Sequence, residues 1–108
     1  MLDAAREALK FAQNKTRNDL ENNRMLTLSL VKDIEIIGEA ATKVTQAIVN
    51  EHPKIPWASI VSMRNRLIHG YYDIDLDRVW DTITSDLPSL IAALEEIVTK
   101  ENIQDEKR

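Results

Sequence analysis

Apolar residues recur along this chain at three- and four-residue intervals, the spacing of one face of an α-helix. Leu2, Ala5, Leu9 and Ala12 form a first stripe, which predicts a helix from Leu2 to about Lys15. The polar run "NKTRNDLENN" breaks the pattern, and Thr16 three residues before Asp19 has the spacing of a capping box for a short helical turn. A long segment follows, from about Asn22 to Asn50. Leu26, Leu30, Ile37, Ala41, Val44 and Ile48 share one face of it, and Leu28, Val31, Ile34 and Ala47 widen that face. An apolar arc this broad predicts burial against more than one neighbour.

"NEHPKIP" reads as a loop, because each proline removes a donor and biases its predecessor away from helix. Pro56 suits the first turn of a further helix whose buried side is Ile60, Met63 and Leu67, with Gly70 as its stop. The last helical region is expected from Asp75 toward Glu101, lined by Leu76, Val79, Ile83, Leu87, Leu90, Ile91, Leu94 and Val98, with Pro88 kinking or splitting it. "ENIQDEKR", from about residue 101, reads as a polar, frayed tail. Strand alternation, internal repeats and linkers are absent from the pattern. The expectation is one all-α domain over residues 1–108, a bundle of four or five helices.

Composition narrows the function. The chain has 108 residues, room for one core, and no cysteine, so disulfides and thiolate metal sites are excluded. "MLDAAREALKF" is charged too early for a signal peptide, and no uncharged apolar run approaches a membrane span, so a cytoplasmic protein is expected. Lys and Arg number 14 against 18 Asp and Glu, a net charge of −4. A general nucleic-acid binder is usually basic, so any such role must rest on a local patch. One exists: from His52 to Tyr72 there is no acid, while Lys54, Arg64, Arg66 and His69 all fall there.

The patch ends in "RNRLIHGYYDID". Arg64, His69 and Tyr71 follow R-x4-H-x-Y, with Asn65 directly after the arginine. Five helical steps turn a side chain by roughly 140°, so Arg64 and His69 converge only where the helix end unwinds or where a second copy completes the site. By angle alone, Arg66 is the nearer neighbour of His69. Arginine with histidine, without cysteine or a carboxylate metal set, suits phosphate chemistry on RNA, which carries its own nucleophile in the 2′-hydroxyl. The plainer reading stays open at this point: a histidine before a C-terminal glycine commonly serves the last helical carbonyls, and the tyrosines serve packing. Asp73, Asp75 and Asp77 read as caps rather than a metal loop, since the glycine and distal glutamate of an EF-hand are missing. His52 reads as an exposed loop residue. Trp57 and Trp80 read as core or interface anchors. Glu35 and Glu39, four apart on the long segment, are placed to face the motif, but read more simply as a solvated stripe or a structural pair for Arg or Lys.

"RNRLIH" followed by Gly-Tyr, preceded by "IIGEAA" on the long segment and by "IPWASIVSMRN", resembles the HEPN superfamily, and within it the HepT-like toxins. The resemblance runs from about Leu2 to Val98. Family members often carry several more residues before the first helix, which implies a shortened start here. The resemblance implies a HEPN-type bundle, a homodimer, and a metal-independent endoribonuclease without cofactor in a type VII-like toxin–antitoxin pair. It assigns Arg64, His69 and Asn65 to catalysis, and moves Arg66, with Lys54, to auxiliary RNA contacts. It also implies a minimal nucleotidyltransferase (MNT) antitoxin that places AMP on Tyr71. HEPN-like bundles also serve as non-catalytic helical partners of nucleotidyltransferases, which is the alternative.

Overall fold

The structure, a computed structural model, describes the backbone of residues 1–69 and 74–106 and the side chains of residues 1–67 and 74–99. Within them every regular element is helical. They are α1 (Leu2–Ala12), α2 (Arg17–Asn22), α3 (Arg24–Thr42), α4 (Gln46–Glu51), α5 (Trp57–His69), α6 (Leu76–Asp81) and α7 (Leu87–Glu106), with a π-helical turn at Thr82–Asp86. The all-α expectation is met, in more and shorter pieces than four or five.

Each boundary has a local cause. α1 stops at Ala12 rather than Lys15, because Asn14 takes the left-handed conformation at φ 62. At Thr16, the start of α2, the backbone N–H donates to Asp19 Oδ2 at 2.7 Å, the reciprocal half of a capping box. Asn23 Oδ1 accepts from the Leu26 N–H at 3.0 Å and opens α3. The single long helix expected from Asn22 to Asn50 is broken after Thr42, because Thr45 Oγ1 accepts from the Ile48 N–H and starts α4 afresh. Val44 and Ile48 are consequently only half-buried, and Ala47 is exposed.

Pro88 does not split the last helical region. The π-helical turn lies just before it, where a proline would otherwise clash with the carbonyl one turn back. With no glycine or proline after Pro88, α7 continues to Glu106, past the expected end near residue 101. Asp75 Oδ1 accepts from the Arg78 N–H at 3.1 Å, capping α6 as the sequence suggested. Asp77 instead pairs with Arg17 Nε at 2.6 Å and ties α6 to α2, while Asp73 lies outside the described residues.

The core gathers around α3, which packs against α1 on one side and α5 on another, with α7 behind α1. Ala5 and Ala8 of α1 are fully buried and let that helix approach α3 closely. Leu30, Val31, Ile34 and Ile37 meet Met63 and Leu67 of α5 and Ile83, Leu87, Leu90 and Leu94 of the last helical region. A Leu→Ala change at a site such as Leu30, 0 % exposed, costs roughly 2–5 kcal/mol. Leu28 was expected to widen this buried face and does not; it is exposed on the outer side of α3.

One buried group is misfit to this core. Asp33 of α3 is 2 % exposed, and its Oδ2 has no hydrogen-bond partner among the described residues. Burial, reinforced by Glu7 of α1, raises its pKa to about 7. A raised folded-state pKa favours the protonated fold, so this contribution is complete below the ordinary carboxylate range and is lost as pH rises through about 7. Asp33→Asn, neutral at every pH and able to donate to Glu7, should therefore raise the melting temperature at pH 8. The gain should exceed about 1 kcal/mol, or roughly 4–8 °C. Thermal scans at pH 8 and pH 4 check this, and an equal shift at both would refute the linkage.

Candidate functional site

α5 carries the site because its inner face is fixed by Met63 and Leu67, which turns Arg64 along the crossing with α3. The helix begins where the Pro56 carbonyl accepts the Ile60 N–H at 3.0 Å. Trp57 Nε1 donates to the His52 carbonyl at 3.1 Å, which pins that start to the end of α4. Trp57 is thus a half-buried anchor, as is Trp80. His52 is half-buried as well, not an exposed loop residue.

Arg64 is the centre of what the described residues show. Its side chain is 20 % exposed. Nη1 donates to Asn65 Oδ1 at 2.6 Å and Nη2 to Glu39 Oε2 at 2.7 Å, while Nε is buried and has no partner among the described residues. Asn65, next in sequence, thus braces the arginine, and Glu39 reaches it from α3. Glu39 is the structural pair for an arginine that the sequence allowed. Glu35 is buried at 8 % exposure and is no part of a solvated stripe. Lys43 Nζ lies 3.9 Å from Glu39 Oε1, so the acid is shared by two cations. Among the described residues, the acid-free run from His52 to Tyr72 therefore meets an acid in space, contributed by another helix.

The remaining sequence-based site residues fall as follows. Arg66 is exposed on α5, two residues and so roughly 200° around the axis from Arg64. Lys54 is exposed in the loop before α5, at the opposite end of that helix from His69. His69 is the last residue of α5, so the offset of roughly 140° from Arg64 holds for its backbone position. Its side chain, and the whole of Gly70 to Asp73 with Tyr71 and Tyr72, lie outside the described residues. Among the described residues no group of His, Asp and Glu comes together as a metal site, and no helix is long and apolar enough to cross a membrane.

Sequence reasoning missed the reason for Gly38. A Cβ there would collide with the Cβ of Arg64 and stand 2.8 Å from its Cγ. The signal was present, because a glycine inside a helix costs about 1 kcal/mol and this chain has only two glycines.

Residues 1–97 match the family described as Ribonuclease HepT-like. The chain belongs to the HepT-like ribonuclease family. Among its relatives is "Probable ribonuclease HepT" of Thermococcus cleftensis, 31 % identical over 100 residues, covering 89 % of this chain and 91 % of that protein. "Putative RNase TTE0752" of Caldanaerobacter subterraneus is 36 % identical over 83 residues, covering 77 % and 74 %. "Putative RNase MJ0127" of Methanocaldococcus jannaschii is 26 % identical over 106 residues, covering 98 % and 88 %. No solved structure gives a significant match. In a HepT-like chain the Arg64–Asn65–Glu39 arrangement becomes the first place to look for RNA chemistry, since an arginine fork is the natural seat of a phosphodiester.

Proposed function

We propose that this HepT-like chain is the toxin of a type VII-like toxin–antitoxin pair, an endoribonuclease that cleaves RNA without a metal ion. The observation that carries the reading is Arg64: its stem is held at the α3–α5 crossing and its fork is braced, five residues before His69 on one helix. The fork takes the scissile phosphate and the charge that builds on it. One histidine accepts the 2′-hydroxyl proton as O2′ bonds to phosphorus. A second histidine protonates the departing 5′-oxygen as the P–O5′ bond breaks. The products are a 2′,3′-cyclic phosphate and a 5′-hydroxyl, and no further reactant enters. Arg66 and Lys54 serve as outlying contacts to the RNA backbone.

Two histidines require two copies, because each chain has only His52 and His69, one before the start of α5 and the other at its far end. The outer face of α3 suits a second copy. Met25, Leu28 and Ile36, with Phe11 of α1, are exposed and gather around one shallow groove with Lys32. The same face continues through Lys32, Ile36 and Glu39 to Lys43, beside Arg64. An antiparallel self-crossing about Ile36 would bury these apolar side chains against their own copies, the isologous contact of a two-fold dimer. Light scattering should therefore report a dimer at micromolar concentration. Ile36→Asp should give a folded monomer with less cleavage activity, and a wild-type monomer would sink this half of the proposal.

The second reading, a non-catalytic partner domain for a nucleotidyltransferase, draws on the Arg64–Glu39 ion pair, which a purely structural arginine would also make. The deciding experiment is incubation of the pure protein with mixed RNA in EDTA, reading the termini produced. Fragments ending in 2′,3′-cyclic phosphate support the ribonuclease, and intact RNA supports the partner domain.

A further inference from the structure

Glycine is the poorest helix former after proline, yet Gly38 sits in the interior of α3. What fills its empty side is the stem of Arg64: a Cβ would meet Cβ and Cγ of that arginine and stand 3.2 Å from the Ile60 carbonyl. The next residue, Glu39, then holds one arm of the fork at 2.7 Å while Asn65 holds the other at 2.6 Å. Arg64 is thereby fixed at its stem and at both arms. Each arm spends one N–H on its acceptor and keeps a second for an incoming anion. Glu39 is the more open partner, at 52 % side-chain exposure against 20 % for Arg64, so its carboxylate stands at the mouth of the site.

We propose that Glu39, on the bare backbone provided by Gly38, is a positioning residue for Arg64. This rests on the ribonuclease reading. A carboxylate at the mouth repels an RNA phosphate, so Glu39 weakens substrate binding. It also fixes the fork before the substrate arrives, so little reorganisation is needed when charge builds on the phosphorus, and the chemical step is faster. These two effects have opposite signs. A merely structural ion pair would, when broken, lower stability, affinity and rate together.

The test uses the full chain with two probes of one sequence: single-stranded RNA for single-turnover cleavage, and its 2′-O-methyl form, which lacks the nucleophile, for binding by fluorescence anisotropy. Glu39→Ala should lower the cleavage rate at saturating RNA by about tenfold or more while binding the 2′-O-methyl strand as tightly as the wild type or more tightly. Glu39→Gln keeps the acceptor and should recover most of the rate. In an Arg64→Ala background, Glu39→Ala should change the rate no further. Parallel loss of rate and affinity with a lowered melting temperature would overturn the proposal, as would wild-type or faster cleavage by Glu39→Ala.

An arm independent of activity keeps this separate from the parent reading. Nitrogen-15 spectra of the arginine side chains should show slowed rotation of the Arg64 guanidinium in the wild type and in Glu39→Gln, lost in Glu39→Ala. If the wild type cleaves no RNA, the ribonuclease reading fails, while unchanged Arg64 signals in Glu39→Ala would refute the positioning role itself.

Discussion

Alanine at His69 should lower RNA cleavage in EDTA by about 10²–10⁴-fold, the range typical of a lost general acid–base group. The effect should be among the largest of any single substitution. In the proposed dimer every site uses His69 twice, once for the 2′-hydroxyl proton and once for the leaving oxygen, so one change removes both transfers. His69 is the final residue of α5, and the substitution leaves the core residues Met63 and Leu67 of that helix in place, so the melting temperature should barely move. Arg64→Lys should also lose most activity, for a different reason. Lysine keeps the charge, but one ammonium cannot brace against Asn65 and Glu39 and still present a planar fork to phosphate. Single-turnover assays on both variants, with circular dichroism for the fold, check this. Wild-type cleavage by His69→Ala, or an absolute requirement for magnesium, would remove the mechanism.

The sequence and the structure agree where one helical period decides the outcome. Leu30, Ile37, Met63, Leu67, Val79, Ile83, Leu87, Leu90 and Leu94 are buried, each on the apolar stripe of its helix, where the helical period alone selects the face. They part where a local signal competes with the stripe. Apolar spacing runs through Val44 and Ile48 as though α3 continued, but the Thr45 hydroxyl offers the backbone a cap and α4 starts there. Leu28 fits the stripe and is still exposed, since α1 and α5 occupy the flanks of α3 and leave its outer side uncovered.

The candidate site divides the same way. Arg64 and Asn65 are adjacent in sequence and were singled out together there, but the hydrogen bond by which Asn65 holds the arginine is visible only in the structure. The Arg64–Glu39 pair spans two helices and needs the crossing that Gly38 permits, so the sequence could name Glu39, with Glu35, as able to face the motif but could not choose between them or name Arg64 as the partner. Asp33 and Glu7 had no sequence signal at all, because nothing in the pattern reports that a polar position on a broad apolar helix will be buried beside a second acid from α1.

Incubation with a cognate minimal nucleotidyltransferase, ATP and magnesium should place a single AMP on Tyr71 and abolish cleavage. In the transfer the tyrosine oxygen bonds to the α-phosphorus of ATP, pyrophosphate leaves, and the phenolic proton passes to solvent. Tyr71 follows His69 by two residues with only a glycine between them, the place of the tyrosine in the R-x4-H-x-Y pattern, which selects it over Tyr72. The adduct would silence the site, because its bulk and negative charge oppose an incoming RNA phosphate. Tyr71→Phe keeps the ring and loses only the acceptor oxygen, so it should cleave RNA, resist modification and stay toxic beside the active partner. Mass spectrometry of the co-expressed pair reads the result directly. Unmodified Tyr71 in a fully neutralised complex would mean that the partner blocks the groove by binding alone. AMP on Tyr72 would move the modified position by one residue and break its register with His69.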